Sequence, residues 1–255
     1  MPKKVVRVES TGASKDGKPS WQPTAQAKSQ ATTFRIIALL LWALAIAGEV
    51  FAIFWILKQT PINMVYLIIA IVVIGILAVI GSLLWKRANT LDPASESNPV
   101  GFFIQNQLGA IIGILAFLPL IVLIFMNKDM DKQQKTIAGA VGIVVMLIAT
   151  LTGVSFNPPS VEKYDQETAI VMQLTGKNLV FWTKAGTVYH LCQTVSDLQL
   201  QSKDNTIYSG TVADAHAAGK ERLTLEVQSE IKQCGLPTPA APIPTAAPAG
   251  ASPTR

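Results

Sequence analysis

The sequence predicts an α-helical membrane bundle of four transmembrane helices, followed by a small α+β soluble domain near the C-terminal end. Three observations predict it. Half of the 255 residues are hydrophobic, and the mean hydropathy is +0.38. Only 15% are charged, against about 25% in an ordinary soluble domain. The apolar residues also concentrate between Phe34 and Val154, with polar sequence on either side.

The first segment, 1–33, is rich in Ser, Thr, Gln, Gly and Lys. It carries too little apolar surface to fold alone and is expected to be a disordered basic tail. No cleaved signal peptide is expected, because the first apolar run is too long for one and follows a long polar stretch.

Four apolar stretches follow: 34–57, 62–85, 102–126 and 137–154. A helix rises about 1.5 Å per residue and must cross roughly 30 Å of hydrocarbon, so about 20 apolar residues are needed. The first stretch has Arg35 at its edge and Glu49 inside; the other three are uncharged. All four are apolar all round, unlike the one-sided helices of a soluble protein. Trp42, Trp55, Tyr66 and Trp85 fall mostly near span ends, as interfacial anchors do.

Orientation follows from the basic residues. The tail carries Lys3, Lys4, Arg7, Lys15, Lys18, Lys28 and Arg35, and the second loop adds Lys86 and Arg87. Lys58, Lys128, Lys132 and Lys135 lie in the other two loops. The larger set is expected on the cytoplasmic side, and four spans return the C-terminal domain there too.

Glu49 is the only carboxylate within the spans. It lies about eight residues from a span end, roughly 12 Å deep. A carboxylate there needs a partner or a proton. No second ionisable residue offers a relay, so a hydrogen bond to a neighbouring helix or subunit is expected rather than a transport site. Pro119 is expected to kink the third span. Small residues mark helix-packing faces: Gly109 and Gly113 in the third span, Ala138 and Gly142 in the fourth, extended by Ala149 and Gly153, and Gly75, Ala78 and Gly81 in the second.

The soluble domain is read as 160–234. Ser160 caps a helix with apolar Val161, Tyr164, Ile170, Val171 and Leu174. Strand patterns cover 178–183 and 187–191 around an Ala185–Gly186 turn, and another begins at Ile207. A helix over 211–220 starts at Thr211 and ends at Gly219; 222–227 alternates as a strand. From 235 onward the chain is mostly Pro and Ala and is expected to be disordered.

Cys192 and Cys234 are expected as two thiols if the domain is cytoplasmic, or as a disulfide if it is outside. With His190 and His216 they fall short of a zinc site, since no CxxC or HxxxH pair is present. No P-loop, dinucleotide fingerprint, nucleophile elbow or HExxH occurs. The sequence therefore predicts neither enzyme, metal nor cofactor. The net charge of +5 sits largely in the tail, where attraction to anionic lipid explains it better than nucleic acid.

Several runs resemble known sequences. The runs from Leu84 to Glu96, Phe102 to Ala110 and Asn127 to Gly139, with Val180–Cys192 and Ser209–Lys220, resemble an uncharacterised family of actinobacterial, corynebacterial-type membrane proteins. The run containing Tyr189, His190 and Cys192 is also similar to the small metal-binding fold of DNA-alkylation-repair methyltransferases. Only Cys192 and Cys234 remain here, so metal ligation does not carry over. Proteins of this layout are similar to accessory subunits of the cytochrome bcc–aa3 respiratory supercomplex. That resemblance implies a non-enzymatic subunit with bcc or aa3 oxidase subunits as partners. The alternatives are a free-standing membrane receptor or scaffold whose soluble domain binds a ligand or protein, and a small proton-coupled transporter centred on Glu49.

Overall fold

A computed structural model describes residues 3–8, 21–202 and 204–237. The expected Pro/Ala-rich tail falls outside the described residues from 238 onward. The chain divides into a helical unit, Ala31–Asn89 with Asn98–Pro158, and a second unit built from Met1–Gln30, Thr90–Ser97 and Pro159–Arg255.

Four helical stretches in the first unit are long and apolar enough to cross a membrane. Helix α1 (Ala25–Phe51) begins at Thr24, whose hydroxyl accepts from the Ala27 N–H at 3.1 Å, and runs on as a π-helical turn, Ala52–Ile56. It therefore starts inside the segment expected to be disordered. Helix α2 (Met64–Leu91) is capped by Asn63, which accepts from the N–H groups of Val65 and Tyr66. The third stretch is two helices, α3 (Pro99–Leu115) and α4 (Leu118–Met126). Pro119 explains the break: it lacks an N–H, and its ring clashes with the carbonyl four residues back. Helix α5 (Lys132–Gly153) opens with a capping box between Asp131 and Gln134.

Helices α3 and α5 meet through backbone. A Cβ built on Gly153 would lie 2.3 Å from the Gly109 carbonyl carbon, and one on Gly113 would lie 3.0 Å from the Thr150 nitrogen. No side chain fits at Gly153, so the contact depends on glycine. The other small positions face side chains: Gly75 faces Val145, Gly142 faces Ile121 and Gly81 faces the Trp42 indole, while Ala138 is buried in the same core. Trp42 is thus no interfacial anchor. It is 2% exposed, packs at a ring distance of 5.3 Å from Trp85 and donates to the Ala78 carbonyl. Trp55 and Tyr66, by contrast, are exposed. Polar side chains tie α2 to α3: Trp85 and Asn89 both donate to the Gln105 carbonyl, at 2.7 and 2.9 Å.

The second unit is α+β. Helix α6 (Val161–Thr175) is capped by Ser160 and closed by Gly176 in the left-handed conformation, the exit that glycine adopts most easily. Strands β2 (Val180–Trp182) and β4 (Thr206–Gly210) pair antiparallel. Strand β1 (Lys4–Arg7) pairs parallel to β4, placing Lys4 opposite Thr206 and Arg7 opposite Ser209, for a sheet order β1-β4-β2. The start of the chain, expected to be disordered, is thus an edge strand of this sheet. Strands β3 (Val188–Tyr189) and β5 (Arg222–Leu223) form a two-stranded parallel pair. Helices α7 (Ser196–Gln201), α8 (Val212–Ala217) and α9 (Val227–Gln233) complete the unit. The strand expected over 222–227 stops at Leu223. Trp21, Tyr164, Val171, Trp182, Tyr189, Val212 and Ile231 share its core.

The segment 90–97 belongs to this unit. Tyr164 donates its hydroxyl to the Thr90 carbonyl, the Val161 N–H reaches the Ala94 carbonyl, and the Glu162 carboxylate accepts from the Ser95 hydroxyl at 2.5 Å and the Glu96 N–H at 2.9 Å.

Candidate functional site

Two places hold buried ionisable groups. In the helical unit, Glu49 is 5% exposed and its Oε1 accepts from the Leu120 N–H at 3.3 Å. Leu120 is the third residue of α4. The first four N–H groups of any helix lack partners within that helix, and Phe117, the residue before α4, supplies no side-chain cap. Glu49 therefore supplies from α1 the acceptor that α4 lacks locally, at the end of the helix where an acceptor oxygen or negative charge is favoured.

In the α+β unit, α6 presents Tyr164 and Glu167, β3 presents Tyr189 and α8 presents His216. Glu167 Oε2 accepts from the Tyr189 hydroxyl at 2.5 Å and lies 3.1 Å from His216 Nε2. His216 Nδ1 lies 2.9 Å from the Lys220 carbonyl oxygen. Both ring nitrogens of this fully buried histidine thus face oxygen acceptors. Its ring stacks on Tyr164 with centroids 3.5 Å apart, and Trp21 closes the stack edge-on to Tyr164 at 4.8 Å. Burial, with the Glu167 carboxylate beside it, pushes the Tyr189 hydroxyl well above its ordinary range, so it remains a donor at neutral pH. The buried Lys220 ammonium donates to the carbonyls of Gly186, at 2.5 Å, and Lys184.

A second pair lies beside it. His190 Nδ1 is 2.6 Å from Glu230 Oε1, and Glu230 Oε2 accepts from the Leu191 N–H at 2.9 Å. His190 and Glu230 are 2% and 1% exposed. Next to this pair Cys192 and Cys234 form a disulfide across a sequence separation of 42. Of the two states expected for this pair, two thiols or a disulfide, the structure has the disulfide. Both cysteines pack against Val195, Leu198 and Ile207, so the bond fastens the C-terminal end of α9 to the chain after β3.

The two histidines engage different carboxylates and the two cysteines engage each other. Among the described residues, no group of three His, Cys, Asp or Glu side chains is placed to hold a metal ion. Sequence reasoning named His190, His216, Cys192 and Cys234 but missed Glu167, Lys220 and Glu230. Glu167 and Glu230 sit in helices far from the residues they meet, and no local spacing marks them. Lys220 left one signal, its place four residues after His216 at the end of a short helix. No protein family, curated protein or solved structure matches the chain.

Proposed function

We propose that this chain is a non-enzymatic, multi-pass membrane protein that serves as an accessory subunit of a larger membrane complex. The observation that carries the reading is the use made of Glu49. The single acid within the spans caps α4 through the Leu120 N–H, which is the work of a structural group. The buried acids and bases of the α+β unit are likewise engaged with one another or with backbone. The sequence resemblance points to the cytochrome bcc–aa3 respiratory supercomplex of the cell membrane as the partner assembly.

The test is purification of the tagged full chain in mild detergent, followed by quantitative mass spectrometry. Bcc and aa3 subunits recovered at constant stoichiometry support the reading. A chain recovered alone, from membranes where the supercomplex itself stays intact, overturns it.

Which face of the membrane carries the α+β unit bears on the partner's contact surface. Charge counted along the whole chain favours the cytoplasm for both termini. The Cys192–Cys234 bond argues the reverse.

A further inference from the structure

We infer that the α+β unit, and with it both ends of the chain, lies on the oxidising, extracytoplasmic face of the membrane. This rests on the count of four spans and on no particular partner.

The unit is assembled from three parts of the chain. Strand β1 precedes the first span, segment 90–97 lies between the second and third, and 159–237 follows the fourth. Because β1 pairs with β4 and Glu162 binds Ser95 and Glu96, all three must be on the same side. An even number of spans, with the middle loop returning to that side, is the arrangement that permits it.

The disulfide then selects the side. Cys192 and Cys234 are the only cysteines in the chain, and they are bonded to each other. Half-buried, they pack against Val195, Leu198 and Ile207, with His190 and Glu230 close by in the chain and bonded to each other. Structural disulfides of this kind persist in oxidising compartments and are rare where glutathione and thioredoxin keep thiols reduced.

The charge pattern opposes this less than the raw count suggests. The cytoplasmic assignment depends on the N-terminal basic residues. Of these, Lys4 and Arg7 sit in β1, and Lys3 bonds the carbonyls of Leu198 and Gln199 in α7. Charges inside a folded domain bear little on orientation, because domains translocate largely regardless of charge. The short loops between spans give the opposite sign. Lys58, Lys128, Lys132 and Lys135 lie on the face away from the domain, against Lys86 and Arg87 at the domain-side end of α2. Lys28 and Arg35, at the domain-side end of α1, offset this excess, so the charges flanking the spans select neither face and the disulfide decides.

The experiment uses the full chain in its own membrane, with single cysteines added at the exposed Lys177 of the α+β unit (Lys177→Cys) and at the partly exposed Gln59 of the first loop (Gln59→Cys). Intact cells are treated with a membrane-impermeant maleimide before and after permeabilisation. The expected result is labelling of Lys177→Cys in intact cells and of Gln59→Cys only after permeabilisation. In parallel, the unsubstituted chain is quenched in acid and alkylated with and without reductant; Cys192 and Cys234 should take up alkylating agent only after reduction. Protection of Lys177→Cys in intact cells, with Gln59→Cys labelled, overturns the assignment whatever the state of the native pair. Free native thiols in the acid-quenched sample remove its main support and also overturn it.

Discussion

Glu49 on α1 caps α4 by accepting from the Leu120 N–H, so the one acid within the spans sits where a proline has broken a helix. A helix interrupted at membrane depth exposes N–H groups that lipid cannot satisfy, and a neighbouring helix must supply the acceptor. Glu49 and Pro119 are therefore parts of one device, although 70 positions separate them along the chain.

The device predicts how substitutions at Glu49 divide. Glu49→Gln keeps a carbonyl oxygen for Leu120 and should leave detergent stability within about 1 kcal/mol of the parent. Glu49→Leu removes the acceptor and strands a buried N–H, a cost of about 1–3 kcal/mol. Thermal unfolding in detergent separates the two. Proton flux in proteoliposomes adds a second readout: flux in the parent that disappears in Glu49→Gln would favour a transporter over the structural reading.

The α3–α5 crossing predicts a ranking among glycines. Gly153→Ala places a methyl 2.3 Å from backbone carbon that has no rotamer with which to move away. Gly113→Ala meets backbone at 3.0 Å, a contact that a few tenths of an ångström relieves. The first should cost about 1–3 kcal/mol, as overpacking does, and the second less. A denaturant titration showing Gly113→Ala to be the worse variant would contradict this geometry.

Much of this was legible in the sequence because hydrocarbon imposes a local rule. Length and apolar composition alone mark a span, so α1, α2 and α5 and the break near Pro119 could be placed from residues within each helix. Ser160 and Thr211 were legible as caps for the same reason, since a cap acts within three residues. What escaped depends on distant partners. Val5 and Val6 form a strand only because β4 lies alongside, about two hundred residues later. Trp42 has the residue type of an anchor, yet it is buried because Gly81 leaves room for its ring. Glu167 and His216 are 49 residues apart, and no spacing rule joins them.

The disulfide closes a loop whose cysteines are 42 positions apart. By the loop-entropy relation, such a crosslink stabilises the folded domain by about 4 kcal/mol. Cys192→Ala with Cys234→Ala should lower the domain's stability by about 2–4 kcal/mol while leaving the four spans inserted. Hydrogen exchange of the full chain in detergent would show faster exchange in β2–β5 and α6–α9, with the slow amides of α2 and α5 unchanged.

Glu162 predicts a dependence on pH. Partial burial opposes its ionisation, but hydrogen bonds from the Glu96 N–H and the Ser95 hydroxyl outweigh that and hold its carboxyl below the ordinary value of 4.5. A carboxyl lowered in the folded state stabilises above its unfolded value, and the benefit is lost as pH falls through the folded one. Glu162→Gln should therefore be less stable than the parent at pH 7, by a small amount because solvent screens the site, and the gap should close as pH drops below the ordinary carboxyl value. Parallel melting curves at pH 7 and pH 4 measure it, and a gap that widens in acid would contradict the assignment.

Trp21 tests whether the start of the chain belongs to the α+β unit. Its side chain is buried and packs edge-on to Tyr164, and its backbone N–H donates to the Asp165 carboxylate. The described residues 3–8 and 21–24 thus do more than lead into α1. They add β1 to the sheet edge and place an indole over the Tyr164–His216 stack. Replacing a buried Trp by Ala costs about 3–5 kcal/mol, so Trp21→Ala should open the unit to protease at denaturant concentrations the parent resists. Deleting residues 1–8 removes β1 and leaves the β4 edge unpaired, yet keeps Trp21 and α1; it should destabilise the unit by a smaller amount. A free-hanging tail would make both changes silent, since nothing in the domain would lose a contact. A measurable effect of Trp21→Ala on protease resistance, greater than that of the deletion, is the outcome that the packing around Tyr164 requires.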